Sequence, residues 1–133
     1  MKAMILSGGR GKRLRPVTDT IPKPLIKING TPLIEWKINY LKKFGIKDII
    51  ICSGYKGKKI ENYIKKKKNF GCNIEYSVET SPLGTGGAIK KAIKNIVGDS
   101  FIVFNKFFLA SFGKTTPSIL PFIGKILAMS VRR

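Results

Sequence analysis

The sequence contains no histidine, one tryptophan, two cysteines and only seven acidic residues among 133. Without histidine, and with Cys52 and Cys72 at no metal-ligand spacing, zinc sites of the usual Cys/His kind are excluded. In a chain with no signal peptide, two cysteines read as reduced core thiols rather than a disulfide framework. Met1-Lys2 leads straight into a short apolar segment that glycine soon breaks, which is neither a secretion signal nor a membrane anchor. The expected location is the cytoplasm, and no membrane partner is expected.

Scarcity of acid leaves 26 Lys and Arg unbalanced, for a net charge of +19. Such a balance points first to nucleic acid, then to an anionic membrane. The distribution argues otherwise. Lysines are spread through every expected helix, with one short block at Lys65–Lys68 that reads as a solvated helix face. No helix-turn-helix, zinc-finger or RNA-binding aromatic signature goes with them. A basic nucleic-acid-binding protein therefore remains an alternative and not the first reading. The apolar fraction of 43% and charged fraction of 25% are those of a globular domain, and the length is that of one.

What is present has a clear order. Residues 2–7 form a compact apolar run ended by Gly8-Gly9, the pattern of a buried strand. A loop of Gly, Pro and basic residues comes next, and long loops in compact domains are usually functional. Asn29-Gly30 marks a turn after Ile26–Ile28. Thr31-Pro32 reads as a helix start, with Thr as N-cap and Pro at the first helical position. Leu33, Ile34, Trp36, Ile38, Tyr40, Leu41 and Phe44 then share one arc at 100° per residue, with Lys37 the one intruder and Gly45 the stop. Trp36 is expected in the core.

Asp48–Ser53 is a nearly continuous β-branched run, as a strand buried on both faces requires. Ile60, Tyr63 and Ile64 give a narrow helical stripe within 58–68, and 73–79 alternates as a strand. Ser81–Gly87 is a second glycine-rich loop. Ala88–Val97 reads as a helix with Ile89, Ala92, Ile93 and Ile96 inward, and Ser100–Asn105 as a further strand. Asp48 and Glu61 look structural. This order describes an α/β domain with a largely parallel, Rossmann-like sheet flanked by helices. Both glycine-rich loops come after strands, so both can lie at the carboxyl edge where such sheets bind ligands.

The first loop reads LSGGRGKRLRPVTDTIPKPL over residues 6–25. Glycines let backbone N–H groups approach a ligand, a strand-to-helix turn adds the helix dipole, and cations behind the turn suit a polyphosphate. It is not a P-loop, because Gly11-Lys12 is followed by Arg13 rather than Ser or Thr. It is not a dinucleotide fingerprint, because Leu14 stands where the third glycine would be. Taken singly, a Gly-Gly turn is also an ordinary turn and surface cations are mostly solvated.

The run GGRGKRLRPVTDTIPKPL resembles the signature of the sugar-phosphate nucleotidylyltransferases, the NDP-sugar pyrophosphorylases that include glucose-1-phosphate thymidylyltransferases and mannose-1-phosphate guanylyltransferases. The resemblance continues through NGTPLIEWKINYLKKFGIKDIIICSGY and ETSPLGTGGAIKKA, covering residues 1–105, the N-terminal part of such a domain. It implies the nucleotide-diphospho-sugar transferase type of fold. It also implies joining a sugar 1-phosphate to a nucleoside triphosphate with release of pyrophosphate, and magnesium as cofactor.

By that resemblance Leu6, Ser7, Gly8, Gly9, Arg10, Gly11 and Lys12 would hold base, ribose and phosphates. Arg13 would stabilise the departing pyrophosphate and Lys23 would contact the reacting phosphates. Gly84, Thr85, Gly86 and Gly87 would lie beside base and sugar, with Glu79 helping to place the sugar. No protein nucleophile is needed, only neutralisation and alignment of two anions.

The resemblance breaks after Asn105. The family continues its strand into Asn-Gly-Asp, whose aspartate holds magnesium; here Lys106 comes after Asn105, and Phe107 stands in place of the aspartate. Magnesium is normally held by one or two carboxylates plus phosphates, yet residues 100–133 contain no acid at all. The segment 106–133 has two prolines, no clean period of 2 or 3.6 and no likeness to the family. It is too polar and broken to span a bilayer. The expectation is a truncation or frame disruption after Asn105, a tail over 106–133 that packs poorly, and a chain that binds nucleotide with little or no turnover. A binding module for nucleotide or sugar phosphate without catalysis is the other alternative. Nothing in the sequence sets an oligomeric state.

Overall fold

The computed structural model describes residues 1–98, 100–105 and, for the backbone, 108–112. The chain runs β1 (Lys2–Ser7), α1 (Val17–Thr20), β2 (Lys27–Ile28), β3 (Thr31–Pro32) and α2 (Leu33–Lys43). It continues through β4 (Asp48–Ser53), α3 (Gly57–Lys66), β5 (Asn73–Val78), α4 (Gly84–Ala92), β6 (Phe101–Asn105) and β7 (Phe108–Phe112). Five strands form one sheet in the order β5-β4-β1-β6-β7. The pairs β1–β4, β1–β6 and β4–β5 are parallel, and β7 is antiparallel to β6.

Period-2 alternation divides the central strands between two cores. Ala3, Ile5, Ile49, Ile51 and Ile102 pack with Ile34, Ile38 and Leu41 of α2 and with Ile60 and Ile64 of α3. Met4, Ile50, Cys52 and Val103 face Ala88, Ala92 and Ile96 on the other side. Each fully buried isoleucine contributes roughly 1.5–3 kcal/mol, several times what an exposed ion pair such as Lys58–Glu61 supplies. The β-branched run at β4 is therefore buried because helices cover both faces. Cys52 and Cys72 are free and buried, as expected of core thiols.

Three expectations need correction. Thr31 and Pro32 do not open a helix. Asn29 and Gly30 both take positive φ, 51° and 77°, which is the geometry of a tight hairpin turn, and Ile28 pairs with Thr31 across it. Pro32 is extended and α2 begins at Leu33. Within α2, Trp36 is 48% exposed whereas Lys37 is 5% exposed, the reverse of what the apolar arc implies. The Trp36 indole N–H donates to the Ile28 carbonyl at 3.1 Å, so the hairpin draws the ring to the rim.

The second glycine-rich loop is also shorter than expected, because α4 starts at Gly84 and ends at Ala92, with a 3₁₀ turn over Ile93–Asn95 after it. Ala88 and Ala92 are its buried residues, joined in the same core by Ile96 just beyond it and packed against by Ile89 and Ile93. Phe108–Phe112 forms a strand where the sequence shows no clean period. The free edge of β6 presents unpaired backbone groups that an extended segment can satisfy whatever its side chains. The rest of the atypical tail, with Lys106 and Phe107, lies outside the described residues.

Candidate functional site

The site forms where β1 ends between its two neighbours. Leu6 is in register with Cys52 and Asn105, and Ser7 with Ser53, so three parallel strands present their carboxyl ends together. Leaving β1, the Gly8 carbonyl accepts the Tyr55 N–H at 3.3 Å. Gly11 then turns the chain in the left-handed region at φ +64, and a Cβ there would lie 2.8 Å from Thr18 Cγ2. Only glycine fits both conditions.

Residues 12–25 do not form a structureless loop. A 3₁₀ turn over Lys12–Leu14, α1 and a second 3₁₀ turn over Lys23–Leu25 wind them into short pieces. The buried Thr18 hydroxyl donates to the Gly11 carbonyl at 2.9 Å. Tyr55 donates its hydroxyl to the Thr18 carbonyl at 3.0 Å, and Lys59 donates to the Thr20 carbonyl at 2.8 Å. Because the segment after Gly11 is a single turn, the helix dipole expected there is absent. It falls instead on the second loop, where Gly84 opens a nine-residue helix.

Two cavities share the strand ends. The first, about 330 Å³, is lined by Leu6, Ser7, Gly9, Gly11 and Asn105 and by the cations Lys12, Arg13, Lys23 and Lys37. Among the described residues no carboxylate lines it. Lys12 and Arg13 are exposed, Lys23 is half-buried and Lys37 is buried. Burial, reinforced by Lys23 nearby, pulls the Lys37 ammonium down from 10.5 to about 8. The Ser7 hydroxyl is buried with no hydrogen-bond partner among the described residues.

The second cavity, about 250 Å³, is bounded by Leu6, Gly8, Gly9 and Asn105 on one side and by Glu79, Gly84 and Thr85 on the other, with Arg10 also lining it. A Cβ on Gly8 would come within 2.7 Å of Glu79 Oε1, which shows how closely the carboxylate approaches the backbone. Glu79 Oε2 accepts the Leu83 N–H at 3.2 Å. Burial and the nearby Glu79 hold the Cys52 thiol up at about 12, so it is no nucleophile.

Of the residues singled out from the sequence, Leu6, Ser7, Gly9, Gly11, Lys12, Arg13 and Lys23 meet in the first cavity, while Gly8, Arg10, Glu79, Gly84 and Thr85 line the second. Gly86 and Gly87 line neither. Sequence reasoning missed Lys37 and Asn105. The signal for Lys37 was its place as the one charge on an apolar arc. It also missed that Tyr55 carries Arg10 at 5.9 Å and Lys56 at 5.3 Å from its ring centroid.

The described residues do not fit magnesium. No group of three or more His, Cys, Asp or Glu is present among them. Asp19 pairs with Arg15, Glu61 with Lys58 and Lys65, and Glu75 with Lys2. Glu35 accepts Tyr63 and Asp48 accepts Asn73. That leaves Glu79, one carboxylate in the second cavity, already bonded to a backbone N–H. Also among the described residues, no helix is long and apolar enough to cross a membrane.

Comparison with known proteins gives the same answer as the geometry. The family model described as nucleotidyl transferase matches residues 2–111. The chain is 44% identical over 105 residues to a D-glycero-alpha-D-manno-heptose 1-phosphate guanylyltransferase of Aneurinibacillus thermoaerophilus, covering 79% of this chain and 45% of that protein. It is 44% identical to an N-acetylmuramate alpha-1-phosphate uridylyltransferase of Neisseria meningitidis, covering 79% and 46%.

Among solved structures, HddC from Yersinia pseudotuberculosis, complexed with GMP-PN, matches with a TM-score of 0.71 and 39% identity over 78% of this chain and 46% of that one. The chain thus spans less than half the length of these relatives. The Rossmann-like sheet, the glycine turn with its cations and a match over residues 2–111 lead to one conclusion: the chain belongs to the nucleotidyl transferase family.

Proposed function

We propose that the paired cavities bind a nucleoside triphosphate for transfer of its nucleotidyl group to a sugar 1-phosphate. The observation that carries this reading is the glycine-walled cavity at the end of β1, lined by Lys12, Arg13 and Lys23 and by no carboxylate among the described residues. A triphosphate carries about the opposite charge and needs close backbone approach, and both are supplied there. The second cavity, with Glu79, Gly84 and Thr85, then takes uncharged polar parts, base and sugar hydroxyls. Relatives named as guanylyl- and uridylyltransferases of sugar 1-phosphates support the substrate class.

In the reaction a sugar-phosphate oxygen attacks the α-phosphorus, the bond to the β-phosphate breaks, and pyrophosphate leaves. Lys23 contacts the reacting phosphates and Arg13 takes up charge on the departing group, so both act by positioning and electrostatics. That no carboxylate among the described residues lines the first cavity favours a second reading, binding without turnover. Titration calorimetry of the 133-residue chain with GTP, UTP and dTTP tests the first step. Pyrophosphate release with mannose 1-phosphate and magnesium tests the second. Binding of one triphosphate is the expected result; release that depends on the sugar 1-phosphate supports transfer, and binding with little release supports the second reading. Strongly salt-dependent affinity for nucleic acid, with no triphosphate binding, would overturn the proposal.

A further inference from the structure

Lys37 is the only charged side chain that is buried among the described residues. It lies on α2, between the first cavity and a groove lined by Trp36, Tyr40 and Phe104. Its ammonium has three donors, yet it makes no hydrogen bond or ion pair among the described residues; it sits 5.2 Å from the centroid of the Phe104 ring. A buried cation without a counter-charge is costly, and the low-dielectric setting that makes it costly also makes an incoming anion bind strongly.

The groups that face it sharpen the point. Lys23 comes from the turn after α1, and Lys12 and Arg13 from the turn after Gly11. Ser7 and Asn105 come from the strand ends, and Lys43 lines the groove further along α2. None of these carries a negative charge. Cations that repel one another around an empty volume mark the place of an anion.

We propose that Lys37 is an anion-binding residue of the first cavity, adding a buried cation to exposed Lys12 and Arg13 and taking a phosphate oxygen of the bound triphosphate. Side-chain cations then hold the oligophosphate without a divalent ion. This rests on the triphosphate reading and adds to it a residue, a metal independence and a pH dependence. Above about 8 the free amine is largely neutral. An anion favours the charged form, so binding draws a proton onto Lys37, and affinity falls as pH rises through that value.

The test is calorimetry of GTP binding to the 133-residue chain in EDTA, at pH 7 and 9, in buffers of different ionisation enthalpy. Binding without divalent ion is expected, with affinity lower at pH 9 by up to about tenfold and uptake of roughly half a proton near pH 8. Lys37→Met is expected to weaken binding at pH 7 by at least about tenfold and to abolish the uptake. Lys37→Arg is expected to keep affinity but lose both the uptake and the pH dependence. The pH profile of Lys37→Arg decides independently of Lys37→Met.

Proton uptake unchanged in the variants would overturn the role of Lys37 while leaving the triphosphate site standing. GTP binding only in magnesium would overturn the metal independence. Absence of binding by GTP, UTP and dTTP alike, with or without magnesium, would sink the underlying site itself; where UTP or dTTP binds and GTP does not, the same tests are run with that triphosphate.

Discussion

The two glycine-rich loops end at the same strand edge and are built on opposite principles. After Gly11 the chain makes single turns and carries its positive potential on side chains, Lys12, Arg13 and Lys23. At Gly84 it enters a regular helix, no lysine or arginine lies between residues 80 and 89, and the polar elements are the helix N-terminus and Glu79. Leu6, Gly9 and Asn105 border both cavities. One loop presents charge and the other presents shape and hydrogen-bonding groups, the division that the proposed nucleotide site requires.

The largest expected effect falls on the first loop. Gly11→Val forces a branched side chain into left-handed backbone and against Thr18, and should cost about 3 kcal/mol of stability and all GTP binding. Urea denaturation with parallel calorimetry measures both. Gly8→Ala is the contrasting change, because the atom it meets is the end of the flexible Glu79 side chain. It should cost less than about 1 kcal/mol and disturb only the second cavity.

Next comes pH. Lys37 has a folded-state value near 8, below its value of 10.5 when free, so charging it opposes folding. That cost is full below about 8 and disappears as pH rises towards 10.5, because the unfolded chain then holds more protons than the folded one. Lys37→Met should therefore be more stable than the parent by about 3 kcal/mol at pH 7, an advantage that shrinks by pH 10. A constant difference across that range would break the assignment. Because Tyr63, held up at about 12 by burial and by its bond to Glu35, acts with the opposite sign at high pH, the comparison is between variant and parent at each pH.

Arg13→Ala and Lys23→Met should each weaken GTP binding about tenfold with little change in thermal stability, since both side chains reach into the first cavity. Glu79→Gln should change GTP affinity by no more than about twofold, because an amide oxygen can still accept the Leu83 N–H. Equal losses from Glu79→Gln and Lys23→Met would show that the cleft is not divided between charge and shape.

Much of the architecture was legible. The apolar run before Gly8, the β-branched run of Asp48–Ser53 before Gly54 and the alternation at Asn73–Val78 were enough to place these strands and the edge where the loops meet. The helix start at Thr31 was not, because Thr-Pro fits an N-cap and a hairpin strand equally well. The Asn29-Gly30 turn, seen in the sequence, decides between them only once Ile28 finds Thr31. Trp36 and Lys37 adjoin on one helix turn, so periodicity cannot say which of two neighbours at the border of an arc goes inside. The nearby Phe104 ring and the Ile28 carbonyl do.

By itself the sequence determined the parallel sheet, the glycine turn, the surplus of cations and the scarcity of acid, because these come from local periodicity, backbone sterics and counting. Only tertiary structure decided that Leu6, Gly9 and Asn105 divide one edge into two cavities and that the described carboxylates, Glu79 aside, are engaged elsewhere. It alone buried Lys37, a residue 26 positions after Gly11, against the same volume. Charge is a property of composition, but a binding site is a property of which charges are left without partners, and partners are assigned only when the chain is packed.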